Sequence, residues 1–433
     1  MGNRLLQYEL GLSQRNILSI KHRPHSIRME NSTTLDEESK FWLEEKLIPN
    51  LKLVLNQKEC LVKYEILPTP APLIMSSLFF LEIKFCANEK EKLYSLVVKR
   101  PARSEFLREL TQSDIIFHNE ILFYNKCAKN SEDYPRCFFT LEEPPINSVI
   151  ILENISKRGY HVCPQKGNLD VKYVVAAMQE IGKFHAKAYV QKEKCQSKFF
   201  EMLNNIKESR YTLEYRENNH FPFMINSLAK RVIQKLRSEN YDKVFCDKAE
   251  VFFNNAFENV MMTAVNSKLP LATLCHGDFT RNNVFFRESD SGLKAMLFDF
   301  ALITYGSPAI DLSTFLCLSA KREDRKNRFS EIFGAYHNSL MDYLKEAGLE
   351  NLEKFSKERF FEDYKRHALF GYFIASFFLP VLLELEMPNL EIMTSEEEIL
   401  ATMSKIGGDK FTELVTEMLL DMREMGCLDH ILN

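Results

Sequence analysis

The chain of 433 residues has no marked charge excess of either sign. Its 56 Lys and Arg stand against 60 Asp and Glu, which gives a net charge of −4 at pH 7. Proteins that bind nucleic acid or acidic lipid mainly through charge need a basic excess, so neither class is indicated. Hydrophobic residues make up 45% and charged residues 27% of the chain, as in ordinary soluble globular proteins.

Long apolar runs and paired cysteines are also missing. The longest apolar run, Ala368 to Leu383, carries Pro380 and is shorter than the stretch of about 20 residues that spans a bilayer. We therefore predict a buried core helix there and no membrane span. The ten cysteines form no CxxC pair, so neither a zinc site nor a disulfide framework is indicated. We expect reduced thiols, a cytoplasmic location and a monomer.

The chain divides into an α+β part followed by a mainly helical part. Residues 1–28 predict a flexible extension, and "NSTTLDEESKFWLEEKL" then predicts a helix. Alternating apolar residues predict strands over 61–67, 77–85, 93–100 and 148–155. The stretch "SDIIFHNEILFYNKCA" predicts a helix between the third and the fourth of these strands. We predict a nucleotide-binding lobe of five strands and one helix over 29–155. A helical lobe over 156–433 is predicted to hold the catalytic loop and the substrate pocket.

The segment "LCHGDFTRNNVFF", from Leu274 to Phe286, encloses a polar group of residues between two apolar edges. Exposed loops are usually rich in Gly, Pro and Ser, whereas this pattern indicates a rigid backbone that presents short polar side chains. The spacing of Asp278 and Asn283 matches the catalytic-loop pattern D-x-x-x-x-N. Asp299 follows in "FDF", within a strand predicted over 293–303.

These residues, with two earlier ones, form the set that phosphoryl transfer from ATP requires. Lys99 ends an apolar strand, and Glu120 lies on the next helix in an apolar stripe with Ile116 and Phe123. In such reactions a lysine neutralises phosphates and a glutamate orients it. One carboxylate accepts the proton of the acceptor hydroxyl, while an amide and a second carboxylate hold Mg²⁺.

"LCHGDFTRNNVFF" together with "LFDFALITYGSPAIDLSTFL" resembles the ecdysteroid kinase-like family. That family is part of the aminoglycoside phosphotransferase/choline kinase-like branch of the protein-kinase-like fold. The resemblance covers about residues 30–430 and includes "VVKRP", "FHNEILFY", "IILENI" and "IGKFHAKAY". It implies a two-lobed α+β fold, with a small antiparallel-sheet N-lobe and a larger, mainly helical C-lobe.

The resemblance also implies a role for each motif residue, with ATP and Mg²⁺ as cofactors. Asp278 is the catalytic base, and Asn283 and Asp299 bind Mg²⁺. Lys99 and Glu120 form the ion pair at the ATP phosphates. The hinge residues that meet adenine are Glu153, Asn154 and Ile155.

Four neighbouring polar residues are interpreted as structural. His276 is expected to bond backbone near Asp299, and Asn282 to face away from the site. Asp311 is expected to brace the catalytic loop from the start of a helix, and His185 to be a core histidine.

One stretch departs from the family pattern. The loop between the first two strands usually contains glycine, which lets backbone approach phosphate closely, but here "PTPAPLIMSSLFF" has none. Hydroxyl groups of Ser76 and Ser77 are expected to compensate by donating to the nucleotide.

The sequence leaves two functions open. The first is an ATP-dependent kinase of a small hydroxylated acceptor, and the second is a catalytically weak or inactive nucleotide- or ligand-binding member of the same fold. A protein kinase is disfavoured because the loop reads His-Gly-Asp and no long activation segment follows. The aromatic-rich stretch 367–385 favours a lipophilic, steroid-like alcohol as acceptor.

Overall fold

The computed structural model contains two compact units. It describes residues 37–57, 60–67, 76–87, 90–129, 131–165, 167–214, 221–266, 270–290, 292–383, 385, 401 and 405–432. Among these, the first unit runs to Tyr160 and the second begins at His161. The predicted extension over 1–28 lies outside the described residues, and the lobe boundary after residue 155 stays a prediction.

The first unit is an antiparallel sheet with helices. Its helices are α1 (Glu37–Trp42), which continues through a π-helical segment (Leu43–Leu47), α2 (Ile48–Val54), α3 (Glu105–Leu110), α4 (Ser113–Lys126) and a 3₁₀ turn (Ile155–Arg158). Its strands are β1 (Leu61–Leu67), β2 (Ser76–Ala87), β3 (Lys90–Pro101), β4 (Cys137–Leu141) and β5 (Val149–Glu153). They pair antiparallel in the order β1-β2-β3-β5-β4. The number of five strands is confirmed, although the sequence pattern locates only four of them. The prediction of one helix is wrong, because four α-helices lie among the described residues before 155.

One face of this sheet is covered by the segment that runs from α1 to α2. Leu43, Leu47 and Leu51 form a buried cluster with residues of the sheet such as Leu81 and Val98. Because successive side chains of a strand point to opposite faces, Lys99 lies on the face away from this cluster.

The second unit is mainly helical. Its longer helices are α5 (Val171–Lys194), α6 (Gln196–Leu203), α7 (Phe221–Leu228), α8 (Lys230–Ser238), α9 (Lys243–Phe253), α11 (Ala309–Ser319), α13 (Phe329–Glu346), α14 (Lys357–His367), α15 (Leu369–Leu382) and α16 (Gly408–Glu424). Shorter helical pieces are a π-helical segment (Phe257–Met262), α10 (Thr263–Val265), 3₁₀ turns (Arg281–Asn283 and Leu352–Phe355), α12 (Arg322–Asn327) and α17 (Asp429–Leu432).

Two small antiparallel sheets lie among these helices. The strands are β6 (His161–Val162), β7 (Thr273–Cys275), β8 (Val284–Ser289), β9 (Gly292–Leu297) and β10 (Thr304–Gly306). One sheet pairs β7 with β10, and the other has the order β6-β8-β9. The polar segment of the sequence therefore connects β7 of one sheet with β8 of the other.

The predicted core helix is confirmed as α15. Phe370, Phe373 and Phe377 are buried. Their rings make edge contacts with Tyr211, Phe253 and Phe221 of the same unit. No helix within the described ranges is long and apolar enough to cross a membrane.

Candidate active site

The loop after β7 brings Asp278 and Asn283 into contact. The Asn283 side-chain amide donates from Nδ2 to Asp278 Oδ2 at 2.7 Å and to the Asp278 carbonyl at 2.9 Å. Asn283 is buried and Asp278 half-buried, whereas Asn282 is exposed. Because Nδ2 is directed at Asp278, the amide oxygen of Asn283 points the other way. Within the described part of the loop, Asn282 makes no such contact with Asp278, and its orientation away from the site stays a prediction.

Glycine is required at position 277 by both backbone conformation and space. Gly277 has φ +79°, in the left-handed region that favours glycine. A Cβ at this position would lie 1.8 Å from the carbonyl oxygen of Leu302. The loop can therefore turn tightly against residue 302 only because no side chain is present.

Asp311, near the start of α11, braces the loop as predicted. Its carboxylate accepts hydrogen bonds from the backbone N–H groups of His276 at 2.7 Å and Gly277 at 2.9 Å. His185 Nε2 lies 3.0 Å from the same carboxylate, and His185 Nδ1 lies 3.0 Å from the Tyr336 hydroxyl. Both His185 and Asp311 are fully buried, so the interpretation of His185 as a core histidine is also confirmed.

His185, Asp311 and Cys275 lie close enough together to be considered as metal ligands. Both ring nitrogens of His185 already have partners in the protein, and the Asp311 carboxylate accepts from two backbone N–H groups. Cys275 Sγ lies 3.3 Å from the Ser307 carbonyl, and burial raises the pKa of this thiol well above its usual value. All three side chains thus already have partners in the protein, and we interpret this trio as part of the loop's support.

His276 connects the loop to the segment that carries Asp299. Its Nε2 donates to the Phe298 carbonyl at 3.0 Å, and its Nδ1 accepts from the Asp278 N–H at 3.4 Å. This confirms that His276 bonds backbone beside Asp299.

Asp299 differs from its predicted place in a strand. β9 ends at Leu297, and Asp299 has φ +64°, so the chain turns at this residue instead of continuing as a strand to 303. A left-handed conformation is uncommon outside glycine and is tolerated by Asp better than by most residues. The half-buried Asp299 side chain thus belongs to a turn that follows the strand directly.

The electrostatic environment of Asp278 combines opposing effects. Burial raises the pKa of this carboxyl group, and the negative charge of Asp299 acts in the same direction. The positive charge of Arg210 and the hydrogen bond from Asn283 lower the pKa. Sequence reasoning missed Arg210, because it belongs to no motif and is 68 positions from Asp278 along the chain.

Lys99 and Glu120 form an ion pair in the first unit. Lys99 Nζ lies 2.7 Å from Glu120 Oε2, and both residues are buried. Removing two charges from water is costly, so such a pair is weak evidence for stability and better evidence for a specific task. The sequence prediction that these residues pair is confirmed, while their contact with ATP phosphates stays a prediction.

The predicted hinge lies at the end of β5. Asn154 donates from its backbone N–H to the Ser95 carbonyl at 3.0 Å and from Nδ2 to Ser95 Oγ at 3.1 Å. Its Oδ1 accepts from the Ser156 N–H at 3.2 Å, which caps the 3₁₀ turn that begins at Ile155. Glu153 is paired with Arg158 at 3.3 Å, and Ile155 is buried. Asn154 therefore shapes the hinge through both its backbone and its side chain.

The register of β2 and β3 separates the two predicted serines. Ser76 pairs with Pro101 and therefore lies on the face of the sheet that carries Lys99. Ser77 pairs with Arg100 and lies on the opposite face. Only Ser76 thus shares a face with the lysine. Residues 68–75 of the glycine-free loop lie outside the described residues.

Comparison with known proteins identifies the family. The model of the ecdysteroid kinase-like family matches residues 74–349. Among solved structures, the microcompartment-associated aminopropanol kinase is similar with a TM-score of 0.41 and 10% identity, covering 88% of this chain and 98% of that chain. No protein with a curated description matches. Since the family model spans more than half of the sequence, the chain belongs to the ecdysteroid kinase-like family, and its α+β fold is protein-kinase-like.

Proposed function

We propose that this chain is an ATP-dependent kinase that phosphorylates a hydroxyl group of an uncharged, lipophilic small molecule. The observation that carries the proposal is the geometry of the loop after β7. Asp278 is held by Asn283, and the backbone of the loop is fixed by Asp311. Phosphoryl transfer depends mostly on positioning and charge stabilisation, which a rigid loop of this kind supplies.

In the proposed reaction, Asp278 accepts the proton of the acceptor hydroxyl as its oxygen attacks the γ-phosphorus of ATP, and the bond from the γ-phosphorus to the bridging oxygen breaks and releases ADP. The hydrogen bond from Asn283 fixes the orientation of the Asp278 carboxylate for this step. Lys99, oriented by Glu120, would neutralise charge on the ATP phosphates. The carbonyl of Glu153 and the N–H of Ile155 would meet adenine, since the N–H groups of Glu153 and Asn154 already bond to the carbonyls of Arg136 and Ser95.

The donor set also fits Mg²⁺. The amide oxygen of Asn283 and the carboxylate of Asp299 are hard oxygen ligands of the kind that this ion prefers. Bound there, Mg²⁺ would offset negative charge on the phosphates. Of the serines, only Ser76 is retained as a donor to the nucleotide, because it shares a face with Lys99.

The acceptor class is inferred from family membership and from the composition of the second unit. Four of the five aromatic residues of α15 are buried in the core, and Phe378 is half-buried. An apolar surface beside this helix would favour a hydrocarbon acceptor by roughly 25 cal/mol per Å² that is buried. We propose a hydroxylated steroid or a similar alcohol.

The test is transfer of labelled γ-phosphate from ATP to acceptors under one set of conditions. The expected result is a higher kcat/KM for a hydroxysteroid than for choline or kanamycin. Faster turnover of either cation would contradict the acceptor class and leave the kinase assignment standing. If no acceptor is labelled although Mg·ATP binds, the alternative of a silent nucleotide-binding protein is favoured.

A further inference from the structure

Arg281 belongs to the half of the loop after β7 that leads to Asn283. It begins the 3₁₀ turn that ends at Asn283, and the N–H of Asn283 donates to the Thr280 carbonyl at 3.0 Å. The half-buried Arg281 side chain extends from this turn and donates from Nη1 to the Gly167 carbonyl and from Nη2 to the Gln165 carbonyl. Two backbone carbonyls outside the loop therefore hold the turn that carries Asn283.

The segment that supplies these carbonyls is itself firmly attached. Gln165 and Asp170 form a closed pair, since Gln165 Oε1 accepts from the Asp170 N–H at 2.9 Å and Gln165 Nε2 donates to Asp170 Oδ2. Leu169 is fully buried, and its N–H donates to the Ser319 carbonyl of α11 at 2.7 Å. Residues 165 and 167–170 thus form a fixed group, the carbonyl platform.

α11 thereby supports both halves of the loop after β7. Near the start of α11, Asp311 accepts from two N–H groups at the beginning of the loop. At its end, the Ser319 carbonyl holds the carbonyl platform, and the platform holds the Arg281 side chain. The first support acts on the backbone before Asp278, and the second acts on the turn before Asn283. Removal of the second support would leave the first in place.

We propose that Arg281 is a positioning residue for the proposed Mg²⁺ site, because it fixes the turn that presents the Asn283 amide. This inference rests on the proposed kinase function. Mg²⁺ tolerates little deviation from octahedral geometry, so the amide oxygen of Asn283 has to be held in place. A turn with more freedom would have to be ordered when the ion binds, at a cost in conformational entropy. The planar fork of a guanidinium suits this task, since it can donate to two carbonyls at once.

Loss of charge and loss of positioning have different effects on one measurable ratio. This ratio is the Kd of ATP without divalent metal divided by the Kd of ATP with Mg²⁺, and it reports what the ion adds to nucleotide binding. Metal-free ATP is the more negative ligand, so loss of a cation weakens its binding at least as much as that of Mg·ATP and leaves the ratio equal or higher. Loss of positioning affects only the metal-bound complex and lowers the ratio.

The experiment measures both dissociation constants by calorimetry on the full-length protein, with EDTA in the metal-free arm. The variants are Arg281→Gln, which removes the fork, and Arg281→Lys, which keeps the charge. The control is Lys172→Gln, because Lys172 is an exposed cation of α5 that pairs with Glu288 of β8 at 3.0 Å. Urea unfolding establishes that each variant is folded.

We expect Mg²⁺ to strengthen ATP binding by the wild type, and Arg281→Gln to lower the ratio by about fivefold or more, since two hydrogen bonds that hold the turn are lost. Arg281→Lys can donate to one carbonyl and should lie between Arg281→Gln and the wild type. Lys172→Gln should keep the wild-type ratio.

A wild-type ratio near one, or an unchanged or higher ratio in the Arg281 variants that fold, would overturn the inference while the proposed kinase function stands. Failure of both variants to fold would make Arg281 a structural residue and overturn the inference as well. A wild type that binds no Mg·ATP would defeat the proposed function, and this inference with it.

Discussion

At the scale of single residues, the proposed chemistry depends on the carboxylate of Asp278. Its orientation is set by the Asn283 amide at 2.7 Å, and its protonation is governed by burial and the charges around it. The two asparagines of the loop differ in burial and in their contact with Asp278. Asn283 is buried and bonded to Asp278, while Asn282 is exposed.

Asp278→Asn should abolish most turnover without unfolding the protein. Asparagine keeps the shape of the side chain but cannot accept the hydroxyl proton, and loss of a general base costs about 10²–10⁴ in rate. Steady-state kinetics would measure kcat, and calorimetry would measure Mg·ATP affinity, which should remain near the wild-type value. Turnover near that of the wild type would remove Asp278 from the proposed role.

Asp299→Ala should weaken Mg·ATP binding by at least about tenfold, because a hard cation loses a carboxylate oxygen. Asn283→Ala should have a milder effect of the same kind, and the exposed Asn282→Ala is the matched control. A thermal-shift titration with Mg·ATP would compare the three variants. Unchanged affinity in Asp299→Ala would mean that another carboxylate holds the ion.

At the scale of elements, α11 supports the loop after β7 through hydrogen bonds to the Asp311 side chain. Asp311→Ala would leave two loop N–H groups and His185 without their acceptor in a fully buried place. An unsatisfied buried donor costs about 1–3 kcal/mol, so we expect a loss of several kcal/mol or failure to fold. Ser319→Ala on the same helix is the control, because the buried Ser319 hydroxyl has no hydrogen-bond partner among the described residues. Urea unfolding would measure the free energy of unfolding of both variants. An equal loss of stability in Asp311→Ala and Ser319→Ala would contradict the bracing role of Asp311.

A buried carboxyl group on α14 makes stability depend on pH. Asp363 accepts from Ser307 Oγ at 2.5 Å, and burial raises the pKa of Asp363 to about 6. The folded state therefore binds more protons than the unfolded state between about pH 4 and 6. The protonated Asp363 thus stabilises the folded state at low pH, and this stabilisation is lost as the pH rises through about 6. His367 lies 3.9 Å away, but burial lowers its pKa to about 4, so it is mainly neutral from about pH 5 upwards.

Asp363→Asn should consequently gain stability relative to the wild type by about 1 kcal/mol on going from pH 5 to pH 8. The free energy of unfolding at both pH values would be measured in urea, with the exposed Asp342→Asn of α13 as control. A difference between Asp363→Asn and wild type that does not change with pH would mean that Asp363 is ionised throughout this range.

Local sequence patterns predicted some elements well and others poorly. β1 has the predicted bounds because its seven residues alternate and are flanked by turn residues. β4 could not be located, since all five of its residues are only partly buried and show no alternation. The predicted strand over 293–303 ends early because Asp299 adopts a left-handed conformation, which nothing in "FDFALI" indicates.

In the candidate site, too, local sequence patterns predicted some contacts and missed others. Short spacing predicted the contact between Asp278 and Asn283, and the apolar stripe around Glu120 predicted its pairing with Lys99. Arg210 belongs to a turn that is held by the hydrogen bond between Glu208 and Thr304 of β10, and these two residues are 96 positions apart in the sequence. Contacts of this kind arise from tertiary packing alone, so no local pattern reveals them.

At the scale of the whole molecule, the two units contribute different parts of the proposed chemistry. The antiparallel sheet of the first unit carries the Lys99–Glu120 pair. The helical second unit holds Asp278, Asn283 and Asp299 around the loop that Asp311 supports. The proposed phosphotransfer should therefore fail when either contribution is removed.

The most direct test is transfer of label from γ-labelled ATP to a hydroxysteroid by full-length protein with Mg²⁺. Wild type, Lys99→Met and Asp278→Asn are compared in one assay, so that each unit carries one substitution. The proposed mechanism predicts a labelled steroid phosphate with the wild type and a transfer rate lower by about 100-fold or more in both variants. No labelled steroid with a wild type that binds Mg·ATP, or undiminished transfer in Asp278→Asn, would contradict it.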